Sequence, residues 1–235
     1  MRYFQKIFFL FLSVCFFVFS AQAINYHAID KMAKNMREYS TEKALVDNLT
    51  KRLKTEEEKA RAIYAWIVSH IDYDYYKFNA YKEDRKLKQK SDIFKSRTGV
   101  CGDIAKLYQK MAKLAGLECE YISGYAGKNV TRKTLNDSLH AWNAVKIKGK
   151  WYLVDATWGI NGGDTFGKDI RNDNHYRLEL NKRERQKDTN RMKKRDVDDR
   201  YFMADPKWLI NTHFPKDKKW QLIQPTKSLN KFLKR

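Results

Sequence analysis

Residues 139–159 read LHAWNAVKIKGKWYLVDATWG, and this stretch decides the fold of the 235-residue chain. It consists of two short segments rich in aromatic and β-branched residues, separated by Lys148 and Gly149. Segments of this kind on either side of a Gly-containing turn predict a β-hairpin, with strands over 139–147 and 150–157.

The hairpin determines which side chains share a face of the sheet. With Lys148 and Gly149 at the tip, the numbers of opposed residues sum to 297, that is 148 plus 149. His140 and Asp155 then become diagonal neighbours on one face, about 7 to 8 Å apart at the backbone and within reach of a side-chain hydrogen bond. A loop one residue longer or shorter would place them on opposite faces.

The chain before the hairpin is predicted to be helical. Residues 28–53 indicate one or two amphipathic helices, and Thr55 with Glu58 forms a capping-box pattern at the start of a stronger one. One buried face of that helix recurs at three-and-four spacing and consists of Ala62, Ile63, Trp66, Ile67, His70 and Ile71.

A further helix is predicted from Cys101, or the residue next to it, up to a stop at Gly116. After Gly116 the apolar period changes to two, first over 117–126 and then through the hairpin. Helices followed by a meander of strands predict an α+β domain with antiparallel pairing.

The first 23 residues are typical of a secretory signal. A 13-residue apolar run from Ile7 to Phe19 is too short to span a membrane, which needs about 20 residues, and Ala21 and Ala23 form a small-x-small cleavage pattern. We therefore expect an exported protein, periplasmic, cell-surface or secreted, whose single domain occupies residues 24–235.

The composition is strongly basic, with a formal net charge of +20. Lys and Arg are spread along the chain among Asp and Glu, which favours a solvated surface over a specific nucleic-acid site and leaves contact with anionic envelope polymers as the alternative. The stretch 163–200 is highly charged and poor in apolar residues, so we expect it to be an exposed insertion.

Two cysteines remain beyond the signal, too few for a disulfide framework in an exported protein. Cys119 falls in a predicted strand, where a buried, small apolar role is expected. Cys101 falls at a predicted helix N-terminus, where the helix dipole and free backbone amides favour thiolate over thiol. Gly99 and Gly102 leave room for a substrate beside its sulfur, although a cysteine in such a position is as often structural as reactive.

The three residues Cys101, His140 and Asp155 are the types found in a catalytic triad with an activated nucleophile. In such a triad the aspartate orients the histidine, and the histidine takes a proton from the thiol. Each also has a structural alternative, since a histidine at a strand edge can bond backbone and an aspartate can begin a turn. The coincidence of all three favours catalysis.

The motifs around these residues resemble those of the transglutaminase-like superfamily of papain-type cysteine enzymes. The resemblance covers residues 55–224 and includes a tail similar to that of the kyphoscoliosis-peptidase-like branch. It is carried by GVCG at 99–102, HAWN at 140–143, WYLVDATWG at 151–159, and the tail segments YF at 201–202, DP at 205–206, HFP at 213–215 and WQL at 220–222.

The resemblance implies a papain-like fold with Cys101 as nucleophile, His140 as general base and acid, and Asp155 as its orienter. The superfamily contains proteases, amidases, cross-linking acyltransferases and members without activity. We expect hydrolysis of peptide or related amide bonds in a protein or peptide substrate. A protein-crosslinking transglutaminase and a non-catalytic surface binding or scaffold domain are the alternatives.

The group that stabilises the oxyanion is less well defined by the sequence. Candidates for the oxyanion site or substrate groove are Trp66, Tyr73, Gly102, Trp142 and Trp158, and large aromatic residues are more often part of a core. The histidines His27, His70, His175 and His213 show no ligand spacing with the cysteines, so neither a metal nor another cofactor is expected.

Overall fold

The computed structural model describes residues 24–83, 92–161 and 193–233. Its helices are α1 (Tyr26–Lys34), α2 (Glu42–Thr50), α3 (Glu56–His70), α4 (Tyr75–Glu83), α5 (Ile93–Ser96), α6 (Cys101–Leu114), α7 (Ala156–Asn161), α8 (Pro206–Leu209) and α9 (Leu229–Phe232). Its strands are β1 (Asp72–Tyr73), β2 (Thr98–Gly99), β3 (Cys119–Ala126), β4 (Leu139–Ile147), β5 (Lys150–Val154) and β6 (His213–Pro215). The predicted α+β class is confirmed.

The main sheet is antiparallel throughout, in the order β5-β4-β3-β6, while β1 and β2 form a separate parallel pair. The predicted register of the hairpin is confirmed, because Asn143 pairs with Val154 and Ile147 with Lys150. Lys148 and Gly149 have φ values of 50° and 78°. A two-residue turn with positive φ at both positions matches the right-handed twist of the strands on either side.

The predicted end of the second hairpin strand is wrong. Strand β5 stops at Val154 instead of residue 157, and α7 begins at Ala156, so Asp155 lies between a strand and a helix. Its Oδ1 accepts the backbone N–H of Trp158 at 3.0 Å, which is how an aspartate caps a helix N-terminus. Helix capping therefore ends the strand here.

Helix α6 begins at Cys101, as predicted, and packs across β3 and β4. At its N-terminus, Asp103 Oδ2 accepts the Val100 N–H at 3.1 Å and lies 2.8 Å from Nζ of the buried Lys77. Gly116, with φ 81°, follows the helix C-terminus and permits the left-handed turn that ends it.

Helix α3 lies at the centre of the fold. Its predicted capping box is present, with Glu58 N–H bonded to Thr55 Oγ1 at 3.1 Å and Glu58 Oε2 accepting the Thr55 N–H at 2.8 Å. Every residue from 60 to 70 is buried, so the prediction of a single buried face is wrong. The reason is that α1, α2, α6, α7 and β4 pack around the helix.

The predicted signal and most of the charged stretch lie outside the described residues. The last part of that stretch, 193–200, is described and is not simply exposed: Arg195 donates to the Ile71 carbonyl at 2.7 Å and pairs with the Asp72 carboxylate. Residues 193–200 are half-buried or exposed, so this end of the stretch is only partly exposed. In the described ranges, none of the helices has the length and apolar character needed to span a membrane.

Candidate active site

A buried histidine–carboxylate pair lies where the hairpin register predicts it. His140 Nε2 is 2.7 Å from Asp155 Oδ2, and both side chains are almost fully buried. The strand β4 holds the histidine, and the junction between β5 and α7 holds the aspartate. Because Asp155 Oδ1 is engaged in capping α7, Oδ2 is the oxygen turned toward the imidazole.

A second histidine reaches the same carboxylate oxygen from the opposite edge of the sheet. His213 Nε2 lies 2.9 Å from Asp155 Oδ2, and the centroids of the two imidazole rings are 5.4 Å apart. His213 is buried and belongs to β6. Asp155 therefore accepts hydrogen bonds from two imidazoles at one oxygen.

A glycine, Gly124, lies on β3, the strand between the two histidines. In the register, Gly124 pairs with His140 on one side, and Ala126 pairs with His213 on the other. Directly paired residues and residues two apart share a face of the sheet, so the two rings lie on the same face as Gly124 and Ala126. Strands β4 and β6 lie about 10 Å apart with β3 between them. A Cβ at Gly124 would collide with the Phe214 carbonyl oxygen and lie 2.5 Å from Trp142 Cη2, so the glycine allows β6 to approach β3 closely.

The charges in this cluster are strongly coupled. Burial by itself lowers the pKa of His140, but the Asp155 carboxylate and a hydrogen bond with Cys101 raise it to about 10. Burial by itself raises the pKa of Asp155, yet His140 and then His213 hold it well below its usual range. The pKa of His213 is lowered, chiefly by burial, against the pull of Asp155. At neutral pH the cluster thus holds a cationic His140, an anionic Asp155 and a neutral His213.

These charges determine which atoms donate. An ionised carboxylate only accepts hydrogen bonds, so the Nε2 atoms of both His140 and His213 carry the hydrogen. The Nε2 atom of His140 is thereby occupied by Asp155, which leaves Nδ1 for the hydrogen bond with Cys101. The Nδ1 atom of the neutral His213 is an acceptor, and Thr212 Oγ1 lies 2.8 Å from it.

The two cysteines differ sharply in environment. Cys101 is partly exposed at the first residue of α6, whereas Cys119 is buried in β3, as predicted. Burial raises the pKa of the Cys119 thiol to about 12. Two tyrosines also lie near Cys101: the pKa values of Tyr73 and Tyr121 are raised mainly by burial and further by the charge of Cys101.

Two adjoining cavities, each of about 250 Å³, flank the pair of Cys101 and His140. They share the wall residues Phe78, Asp137 and Leu139. The cavity on the histidine side is also lined by Tyr73, Gly127, Lys128, His140 and Trp158. The cavity on the cysteine side is also lined by Tyr81, Val100, Cys101 and Asn136. The two cavities thus lie on either side of Cys101 and His140.

Residues 43–156 match the family model described as the Transglutaminase-like superfamily. The chain contains a transglutaminase-like domain. It is also 32% identical over 191 residues to the kyphoscoliosis peptidase of Homo sapiens, an alignment that covers 80% of this chain and 25% of that protein. The resemblance noted from the sequence is thereby confirmed, and the mixed fold with Cys101 at the start of a helix on an antiparallel sheet is the expected papain/transglutaminase-like core.

Other relatives of the transglutaminase-like domain are also longer proteins. Hillarin of Drosophila melanogaster is 28% identical over 220 residues, which cover 89% of this chain and 24% of Hillarin. The chain thus spans about a quarter of the length of these two curated relatives. Among solved structures, the periplasmic domain of TgpA from Pseudomonas aeruginosa is similar with 16% sequence identity and a TM-score of 0.41. The alignment covers 65% of this chain and 53% of the TgpA chain.

Four of the five candidates for the oxyanion site or groove lie near the histidines, Cys101 or the cavities. Trp142 and Trp158 pack against the histidine rings. The ring centroids of Trp142 and His140 are 5.9 Å apart in a stacked arrangement, and those of Trp158 and His213 are 4.4 Å apart. Tyr73 lines the cavity beside His140. Gly102 follows Cys101 in α6, and a Cβ at this position would lie 3.5 Å from Tyr121 Oη, an ordinary contact distance. Their roles stay predictions.

Trp66 lies elsewhere in the transglutaminase-like domain. Its ring stacks on that of His70 with the centroids 4.9 Å apart, and the guanidinium carbon of Arg97 lies 4.8 Å from the centroid of the Trp66 ring. Trp66 is not among the described residues that line the two cavities. Its contacts are those of a core residue, and its oxyanion role stays a prediction.

The sequence interpretation missed His213. Its local spacing shows no relation to the hairpin, and the family match ends at residue 156. The signal that could have found it is the HFP segment in the tail that resembles the kyphoscoliosis-peptidase-like branch. Among the described residues, His140, Asp155 and His213 also form the one group whose ligand atoms could hold a metal ion. Their separations of 2.7 and 2.9 Å are hydrogen-bond lengths and fit protons between these atoms.

Proposed function

We propose that this chain is a cysteine-dependent acyl-transfer enzyme that hydrolyses peptide or related amide bonds with Cys101, His140 and Asp155. The observation that carries the proposal is the position of His140, which bonds the Asp155 carboxylate through one nitrogen and Cys101 through the other. A histidine held in this way can exchange a proton with the thiol.

The reaction begins with the proton of Cys101 residing on His140, which the raised pKa of that histidine favours. The thiolate attacks the amide carbonyl carbon and forms a tetrahedral intermediate. Its collapse breaks the C–N bond as His140 Nδ1 gives its proton to the leaving amine, which leaves a thioester on Cys101. The neutral His140 then takes a proton from water, the hydroxide displaces the thiolate, and the carboxylic acid is released.

Asp155 has an orienting and electrostatic part in this cycle. Its lowered pKa keeps it ionised, so it accepts the Nε2–H of His140 throughout and favours the cationic form of the ring. The free backbone amides at the start of α6 are suited to stabilise the oxyanion that forms next to Cys101.

Hydrolysis is the proposed default over transamidation. Acyl transfer to an amine needs a site that binds the amine and excludes water, whereas water reaches an open groove. A kyphoscoliosis peptidase is a relative, and its name is consistent with hydrolysis. Cross-linking and a purely binding function become outcomes of the test.

The test combines covalent labelling with turnover. The protein is incubated with a thiol-directed acyl probe and, separately, with a panel of peptide amides, a glutamine-containing peptide and a labelled primary amine. We expect labelling and hydrolysis that Cys101→Ala abolishes. Cys119→Ala is the matched control and should retain both, since that thiol is buried with its pKa raised to about 12. Amine incorporation without hydrolysis would make the protein a transferase. Silence in every assay would favour the binding domain.

We also propose export, with cleavage after Ala23, on the basis of the apolar run and the small residues that follow it. Contact of the basic surface with anionic envelope polymers is part of the same proposal. Mass spectrometry of exported protein should give an N-terminus at Ile24, and a retained Met1 would contradict it.

A further inference from the structure

We propose that His213 is a positioning residue, which holds the Asp155 carboxylate against His140 through a hydrogen bond from its Nε2–H. The inference rests on the proposed function, because it gives His213 a part in the reaction of Cys101 and His140. Its basis is the shared oxygen: His213 Nε2 lies 2.9 Å from Asp155 Oδ2, and His140 Nε2 lies 2.7 Å from it.

The carboxylate is fixed at three points. Oδ1 accepts the Trp158 N–H at 3.0 Å, and Oδ2 accepts from His140 and His213. An ionised carboxylate buried to this degree requires several donors to remain charged. Without the donor of His213, Oδ2 would depend on His140 alone, and the carboxylate would be freer to turn about its Cβ–Cγ bond.

The tautomer of His213 follows from its two neighbours. The ionised Asp155 carboxylate can only accept a hydrogen bond, so the ring hydrogen resides on Nε2, which faces that carboxylate. On the other side of the ring, Thr212 Oγ1 lies 2.8 Å from Nδ1 and 3.3 Å from the Leu209 carbonyl oxygen. A Thr212 hydroxyl that donates to Nδ1 supports the tautomer that His213 needs in order to hold the carboxylate.

His213 acts on the reaction only through Asp155. Its ring is enclosed by Trp142 and Trp158, with centroids at 5.2 and 4.4 Å. It is not among the described residues that line the two cavities beside Cys101 and His140. A substrate in those cavities would therefore not touch it, and its loss should affect kcat more than KM.

Three variants separate hydrogen bonding from packing. His213→Gln keeps an amide N–H donor, and His213→Phe keeps a ring without one. The matched control is His70→Phe, since the His70 ring is also buried but bonds Ser69 and the Trp66 carbonyl. Each is measured for kcat and KM on a hydrolysed peptide amide and for the pH profile of Cys101 alkylation by iodoacetamide.

We expect His213→Phe to lower kcat about tenfold with KM within about twofold, the change expected for a lost hydrogen bond to a charged group. The midpoint of its alkylation profile should move up by about one pH unit, because a less well held carboxylate stabilises cationic His140 less. His213→Gln and His70→Phe should stay within about threefold of the unmodified protein. A folded His213→Phe protein with unchanged kcat and profile, or a His213→Gln protein as impaired as His213→Phe, would overturn the inference.

Nitrogen-15 NMR of the histidine-labelled protein tests the hydrogen bond directly, even if His213→Phe does not fold. His213 should be neutral at pH 7 with its proton on Nε2, and Thr212→Val should leave the proton there, because the Asp155 carboxylate still accepts it. A proton on Nδ1 in the unmodified protein would overturn the inference. Failure of the proposed function has a different signature, namely no amide hydrolysis and a Cys101 that is alkylated no faster than free cysteine.

Discussion

At the scale of single residues, two histidines that share one carboxylate oxygen differ in charge: His140 is cationic and His213 is neutral. His140 bonds Asp155 and Cys101, and its pKa is raised to about 10, whereas His213 bonds Asp155 and Thr212, and its pKa is lowered. One carboxylate can stabilise one imidazolium, and a second cation 5.4 Å away would be repelled. The cationic histidine is therefore the one next to the thiol.

The first prediction concerns the carboxylate that raises the pKa of His140. Asp155→Asn keeps the shape of the side chain and removes the charge, so the pKa of His140 should fall well below about 10. Turnover should fall by about 100-fold or more, because the orienting anion is gone. An NMR titration of the His140 ring protons measures the first effect, with His70 as reference. An unchanged His140 titration would contradict the assignment.

The sequence could predict His140 and Asp155 because both belong to one hairpin with a two-residue tip, where local pairing determines which residues meet. It could not predict His213, since 58 residues separate it from Asp155 and the contact arises only when β6 adds to the far edge of β3. The cap made by Asp155 was missed for a different reason: the prediction extends the strand over 155–157, although aspartate favours helix N-caps over strand interiors, so a local signal was present.

At the scale of elements, the sheet depends on the close approach of β6 to β3. A Cβ at Gly124 would lie 2.5 Å from Trp142 Cη2 and closer still to the Phe214 carbonyl oxygen. Gly124→Ala should therefore destabilise the protein by about 1–3 kcal/mol and displace His213 from Asp155. The control is Gly102→Ala, whose Cβ would make an ordinary 3.5 Å contact with Tyr121 Oη. Urea unfolding that ranks the two variants equally would refute this account of the sheet.

The position of α1 on α3 depends on a buried cation. Arg61 bonds both carboxylate oxygens of Asp30 at 2.8 and 2.7 Å, and it also pairs with the exposed Asp199 at 2.5 Å. Arg61→Leu should destabilise the protein by about 3 kcal/mol or more, since it leaves Asp30 without its main partner. Asp199→Asn should cost less than about 1 kcal/mol because that carboxylate is largely solvated. Denaturant midpoints of the two variants measure the difference, and a larger loss from Asp199→Asn would be evidence against this ranking.

At the scale of the whole molecule, the site contributes to stability in a way that depends on pH. The folded protein holds a proton on His140 up to about pH 10, whereas an unfolded histidine loses it near 6.5. The contribution of His140 is therefore complete below about pH 6.5 and declines as the pH rises toward 10. The pKa of Asp155 is lowered, so its contribution is present above about pH 3.8 and is lost as the pH falls below that value.

His213 adds a second acid-sensitive contribution, and this gives the last prediction. Because its pKa is lowered in the folded protein, the unfolded chain binds the proton more readily below about pH 6.5, and stability falls as the pH drops through that region. His140→Gln should then flatten the alkaline decline between about pH 6.5 and 10, while His213→Gln should flatten the acid decline below 6.5. Urea unfolding from pH 4 to 10 on both variants and the unmodified protein measures the free energy of unfolding across both declines. If stability declined above about pH 6.5 in His140→Gln as it does in the unmodified protein, the proton would not reside on His140. Both the charge assigned to His140 and the proposed thiolate–imidazolium resting state would then be contradicted.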